Sequence, residues 1–166
     1  KREVELMVVG RVAPAVQERW QSRLAQSSES RLRLNWFGLA QREQIPEIDR
    51  SAHLLYSSDI NAACPNAVIE ALACGLPVVA FDTGALPELV SGDAGRVAAY
   101  GGDPWKLDAP DMDALAQAAE QVLADLPHFQ QGARLRAEQA FGLDQMVQAY
   151  MKVLELEQDR QDAQDF

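Results

Sequence analysis

Cys64-Pro65-Asn66-Ala67-Val68-Ile69-Glu70-Ala71-Leu72-Ala73-Cys74-Gly75-Leu76-Pro77, followed at once by Val78-Val79-Ala80-Phe81, is a helix start, a helix stop and an apolar strand in one run. Pro65 suits the first helical turn, because the N–H it lacks would have had no partner there. Gly75 takes the left-handed conformation that ends a helix, and Pro77 prevents continuation. Between them Val68, Ile69, Leu72 and Ala73 supply a face that packs on a sheet. Pro77–Phe81 is then a strand apolar on both sides, the mark of a parallel sheet covered above and below. Within this greasy helix stands one carboxylate, Glu70.

The same alternation extends outward in both directions. Val4–Gly10 reads as a buried strand ending in glycine, and residues 13–27 as a helix with Val16, Trp20 and Leu24 on one stripe. Leu32–Phe37, closed by Gly38, is a second strand. Residues 41–51 read as a helix that Pro46 shortens or breaks. His53–Tyr56 is a third strand, and Ser57–Ala63 a loop feeding the central helix. After the Asp82-Thr83-Gly84 turn come a short helix over Leu86–Val90 and a strand over Gly95–Tyr100. Helices over 111–125, 127–140 and 143–158, interrupted by Pro127 and Gly142, form a C-terminal extension whose polar end, Glu157–Phe166, is expected to fray. Short apolar strands alternating with helices argue for an α/β fold, a parallel sheet with helices on both faces. Ligands in such folds bind beyond the carboxyl ends of the strands. The loop entering at residue 64 is one of these places.

The chain has 166 residues, which suits one domain, 1–166, with a sizeable core. With 15 basic against 25 acidic residues its net charge is −10, which disfavours nucleic acid and anionic lipid as partners. No apolar run reaches the ~18–20 residues of a membrane span, and no signal-peptide pattern is present. Cys64 and Cys74, with only His53 and His128 elsewhere, do not make a metal-ligand set. They read as small buried residues in a reduced, cytoplasmic protein. The chain opens at Lys1 and enters a strand at once, which is the expectation for a piece of a longer protein.

The amides at the start of a helix have no intrahelical acceptor, and with the helix dipole they attract phosphate. Glu70 lies one turn beyond Asn66 on the same side, where it can accept hydrogen bonds from paired hydroxyls such as those of a ribose. Elsewhere the bland readings are the simpler ones. Asp111-Met112-Asp113 caps a helix after Pro110. His53 is a core or edge residue, Trp20 and Trp36 pack, and Trp105 anchors a loop.

Residues 65–79 resemble the signature of the retaining glycosyltransferases of family 4, or group 1, which have the GT-B fold: E-G-F-P-N-x-x-x-E-A-x-A-C-G-x-P-V-V. The likeness runs through Pro65, Asn66, Glu70, Ala71, Ala73, Cys74, Gly75, Pro77, Val78 and Val79. It continues in Asp82–Glu88, similar to D-x-G-G-x-P-E, and in Trp36-Phe37-Gly38 with the following segment, similar to the family's F-x-G turn and helix.

The resemblance implies a Rossmann-like domain that forms the donor-binding half of a glycosyltransferase, with an acceptor domain upstream. It implies that Glu70 holds the ribose of a nucleoside diphosphate sugar. The turn Ala63, Cys64, Pro65, Asn66 and Ala67 would face sugar and diphosphate, and the backbone at Gly38 and Leu39 would lie near the base. The donor is a substrate; no cofactor or metal is called for, and the acceptor is not specified. Ala62 stands where the family has its first glutamate, and Cys64 where it has an aromatic residue. The family's phosphate-binding Arg and Lys precede the first strand, so the isolated chain is expected to be inactive. A non-catalytic nucleotide- or partner-binding relative and a nucleotide-sugar epimerase are the alternative readings.

Overall fold

A computed structural model describes residues 3–27 and 31–162, with side-chain surroundings described up to residue 154. The chain divides into two compact units, Lys1–Ile45 and Pro46–Phe166.

In the first unit β1 (Val4–Val9) pairs in parallel with β2 (Leu32–Gly38), and α1 (Pro14–Gln26) connects them. Pro14 opens α1, where its missing N–H costs nothing. Both strands end in glycines with positive φ, Gly10 at +131° and Gly38 at +82°, and the Gly10 amide donates to the Gly38 carbonyl at 2.7 Å. The expectation of a buried β1 fails: Val4, Leu6 and Val9 are exposed. Two strands and one long helix are too little to cover both faces of a sheet. Trp20 is likewise exposed, with the Arg23 guanidinium over its ring. The packing role read for it is therefore only partial. Trp36 is half-buried, and its indole nitrogen is buried with no partner among the described residues.

The second unit carries the core. Its parallel sheet has the order β3 (Leu55–Tyr56), β4 (Val78–Phe81), β5 (Gly95–Ala98). Every residue of β4 is buried, and the two-residue period of a strand decides where each points. Val78 and Ala80 join a cluster with Val68, Ala71 and Leu72 of α3 (Asn66–Ala73), Leu86 and Leu89 of α4 (Leu86–Leu89), and Ala133 and Ala137 of α6 (Leu126–Ala140). Val79 and Phe81 join the opposite cluster, with Leu115, Ala118 and Val122 of α5 (Met112–Ala124) and Phe129 of α6. Helices thus cover both faces, as the apolar reading of Pro77–Phe81 requires. Arg136 secures α4 by donating to the carbonyls of Glu88 (2.8 Å) and Leu89 (3.2 Å). Asp111 caps α5, its carboxylate accepting from the Ala114 amide at 2.9 Å.

Several boundaries differ from expectation for local reasons. Residues 41–51 divide into a 3-10 turn, Arg42–Gln44, and α2 (Ile45–Ser51), with Pro46 in the first turn of the latter. Strand β3 is two residues long, so His53 precedes it and is exposed rather than a core or edge residue. Strand β5 stops at Ala98, because the Tyr100 amide turns to the Asp82 carboxylate (2.8 Å). The break expected at Pro127 is present, with Pro127 in the first turn of α6. Helix α7 (Leu143–Asp162) runs through residues 157–162, where fraying was expected; residues 163–166 lie outside the described residues. Cys64 is exposed and Cys74 half-buried, so neither is the buried cysteine expected. Among the described residues no helix is long and apolar enough to cross a membrane.

Candidate functional site

Helix α3 starts one residue later than its sequence indicates. Pro65 is the cap, extended at φ −73° and ψ 111° and offering no side-chain acceptor, and Asn66 is the first helical residue. The Val68 amide finds the Pro65 carbonyl at 3.0 Å. The Asn66 and Ala67 amides have no acceptor among the described residues, and Asn66, Ala67, Cys64 and Ala63 are all exposed. Two N–H groups at the positive end of a helix therefore face outward unsatisfied. At the other end the chain closes in a Schellman motif, with Leu76 N–H to Ala71 O (2.9 Å), Gly75 N–H to Leu72 O (3.0 Å) and Gly75 at φ +74°. Arg134 of α6 donates to the Ala73 carbonyl, which anchors that end.

The loop that delivers the chain to Pro65 is held against the turn after β4. The Ser57 amide extends the sheet by donating to Val79 O (3.0 Å), and Ser57 is buried. Asn61 adopts φ +58°, a conformation asparagine tolerates better than most residues. Its amide donates to the buried Thr83 hydroxyl at 3.4 Å, while the Ala62 carbonyl accepts from Ala85 N–H at 2.8 Å. Gly84 lies against Ala62 so closely that a side chain has no room. The carboxyl ends of β3 and β4 thereby fix where the helix begins.

Glu70 is exposed on α3, one turn after Asn66. Asp49 of α2, whose carboxyl feels the Glu70 charge, lines a cavity of about 250 Å³ with Cys74, Gly75 and Gln130. Burial pushes the Asp49 carboxyl above its usual range, the negative charge of Glu70 adds to that, and the Cys74 thiol and Arg50 pull it back. Burial, then the Asp49 charge, pushes the Cys74 thiol up. Asp49 was missed as a site residue, though a signal existed. Ile45, Ile48 and Ala52 mark an inward helical stripe, and Asp49 stands on it.

Because folding raises the Asp49 pKa, the stabilised form is the protonated one. That contribution is fully present below the unfolded value near 3.8 and is lost as pH rises through the folded value. Asp49→Asn is therefore expected to raise the melting temperature at pH 7 and to have no such effect near pH 3.5. Thermal unfolding across that range checks it; an effect independent of pH would remove the carboxyl's ionisation as the cause.

Ala63, Cys64, Pro65, Asn66, Ala67 and Glu70 thus gather on one helix start in the second unit. Gly38 and Leu39 belong to the first unit, at the carboxyl end of β2, where Leu39 is 64% exposed. Thr83 and Gly84, which brace the loop, were legible only as a turn within the Asp82–Glu88 likeness, not as a support for the start of α3.

A comparison with curated protein sequences gives no significant match. Among solved structures the chain is similar to sucrose-phosphate synthase from Thermosynechococcus elongatus, with TM-score 0.65 and 22% identity over 90% of this chain and 38% of that one. It is similar also to the Anabaena protein HepE in complex with UDP and glucose, with TM-score 0.64 and 23% identity over 90% of this chain and 40% of that one. A third likeness is to AviGT4, a glycosyltransferase involved in avilamycin A biosynthesis, with TM-score 0.52 and 20% identity over 91% of this chain and 44% of that one. The chain thus spans less than half the length of these structures, and at such identities the likeness is one of fold, Rossmann-like α/β. The family model described as "Glycosyl transferases group 1" matches residues 1–125. That match covers the sheets, the helix start at Asn66 and the braced loop before it, and the chain belongs to the group 1 glycosyl transferases.

Proposed function

We propose that this chain is the donor-binding half of a retaining glycosyltransferase of family 4, one that moves a sugar from a nucleoside diphosphate sugar to an acceptor. One observation carries the reading: the unsatisfied Asn66 and Ala67 amides at the start of α3, with the exposed Glu70 carboxylate one turn further on. An amide pair at a helix N-terminus suits a diphosphate, and a carboxylate that only accepts hydrogen bonds suits the two hydroxyls of a ribose. The complex of HepE with UDP and glucose gives a neighbour of the same fold that holds such a ligand.

In this reading the chemistry asks little of the chain beyond position and charge. Negative charge grows on the leaving diphosphate as the glycosidic bond lengthens. Amides already pointing at that oxygen stabilise the charge without reorganising, and stabilisation of this kind commonly lowers the barrier more than any other single effect. The loop braced by Thr83 and Ala85 keeps the amides aimed. The domain that binds the acceptor is supplied by a segment upstream, and the isolated chain binds donor without turning it over. The protein works in the cytoplasm, where nucleotide sugars are made.

Glu70→Ala is expected to weaken UDP binding about tenfold or more while leaving the melting temperature within ~2 °C, because an exposed charged side chain contributes little to stability. Calorimetric titration with UDP, GDP and ADP on both proteins measures it. Equal affinities would remove Glu70 from the site.

A second reading rests on Ala62, which offers no carboxylate where the family has one. A non-catalytic relative would bind the nucleotide yet consume no nucleotide sugar in the full-length protein. Turnover with UDP-glucose decides between the two.

A further inference from the structure

Beyond the β5 strand the chain builds a stiff loop with an uncovered aromatic at its tip. The loop Tyr100–Asp111 is closed at its base by Asp111 N–H to Tyr100 O (2.7 Å), and the Tyr100 hydroxyl donates to Asp108 O (2.7 Å). Inside it, the Asp103 amide donates to the Asp108 carboxylate (2.9 Å) and the Trp105 amide to the Asp103 carboxylate (3.0 Å). Lys106 Nζ reaches Asp103 Oδ2 at 3.0 Å. None of these bonds uses the indole. Trp105 is 80% exposed, so the anchoring role its sequence position indicates is not what the ring does. Leu107 beside it is 73% exposed and held at φ +57°, a costly conformation for leucine. Such strain persists only where the surrounding structure holds it, and the bonds that close this loop do so.

Next to the loop lies a cleft of about 460 Å³ lined by Asp82, Thr83, Tyr100, Gly101, Gly102 and Pro104. It opens at the carboxyl ends of β4 and β5, the ligand-binding edge of such a sheet. Thr83 links it to the loop before α3 through the Asn61 amide. Asp82 Oδ1 accepts from the Tyr100 amide, and Asp82 Oδ2 has no partner among the described residues.

We propose that the Trp105 loop and this cleft form a carbohydrate subsite, in which the indole stacks on the C–H face of a pyranose and Asp82 accepts from its hydroxyls. Calling that sugar the acceptor rests on the donor reading of α3; the binding itself does not. A neutral sugar matches the pairing of an apolar plate with an acceptor-only oxygen. Anionic ligands do not, since Asp82, Asp103 and Asp108 crowd this edge and the one cation of the loop, Lys106, is taken by Asp103.

The test is a ¹⁵N-indole NMR titration of the full chain with methyl α-glucopyranoside, methyl α-mannopyranoside and N-acetylglucosamine, followed by a separate titration with UDP. At least one sugar is expected to shift the Trp105 indole resonance with millimolar saturation, leaving those of Trp20 and Trp36 in place. Trp105→Ala is expected to cut that affinity about tenfold, and Trp105→Phe to keep most of it. The inference is overturned if no sugar moves the Trp105 resonance, or if Trp105→Ala binds as well as wild type. A resonance that moves with protein concentration instead makes the loop a contact between copies and also overturns it. UDP bound without a sugar response defeats this inference alone, whereas a sugar response without UDP binding defeats the donor reading alone.

Discussion

Gly84→Ala is expected to lower the melting temperature by about 10 °C, some 3 kcal/mol, and to weaken UDP binding with it. Gly84 sits at φ +55°, where any other residue is strained. An added Cβ would collide with the Ala62 carbonyl oxygen and would lie 2.6 Å from the Ala62 nitrogen and 2.7 Å from the Asn61 carbonyl carbon. These are backbone atoms without a free end to swing away. Ala62 is fixed by its bond from Ala85, and Asn61 already holds a positive φ bonded to Thr83. Relief must come from moving the loop, and that loop sets where the Asn66 and Ala67 amides point. Gly92→Ala is the control, since φ is +64° there but nothing lies within 4 Å. It should cost only the ~1–2 kcal/mol of left-handed strain. A Gly84→Ala protein no less stable than Gly92→Ala would mean that the loop yields freely and braces nothing.

What could be read in advance was the part whose cause is local. Pro65, Gly75 and Pro77 bracket α3 through backbone constraints that act whatever surrounds them, and the observed ends lie within a residue. The four-residue apolar run of β4 could only be buried on both sides, and it is. Where the outcome depends on what lies across from a residue, the sequence was a poorer guide. Val4–Val9 is apolar at every position except Glu5, but an apolar run does not say how much chain is available to cover it. His53-Leu54 looked like strand, yet the ladder starts only at Leu55, opposite Val78. For the site, Asn66 and Glu70 were legible because helical spacing alone puts them on one side. Asp49 was legible as an inward helical position but not as a neighbour of Glu70 and Cys74, because that proximity comes from how α2 meets the end of α3. Trp105 misled for a related reason. Aromatics in glycine-rich loops usually pack, and this loop is closed by carboxylates and backbone instead.

Leu72→Ala is expected to destabilise the protein by about 4–5 kcal/mol, the upper part of the range for a buried leucine. Leu72 is fully buried and belongs to the cluster that joins α3 to β4, α4 and α6, reaching Val78, Ala80, Leu86 and Ala133. Relaxation into the cavity is restricted. The Schellman closure and the Arg134 bond to Ala73 hold the end of α3 on one side, and the paired strand β4 holds the other. Nucleotide affinity should respond far less, because the Asn66 and Ala67 amides and their loop are braced by Thr83, Gly84 and Ala85 rather than by Leu72. Well below the melting temperature, UDP affinity is expected to change by less than about threefold, under ~0.7 kcal/mol. Glu70→Ala should show the reverse pattern, stability kept and affinity lost. Denaturant titration and calorimetry on both variants give a two-by-two comparison. If Leu72→Ala loses nucleotide as steeply as it loses stability, the two ends of α3 move as one body, and the helix start is positioned by the core rather than by its loop.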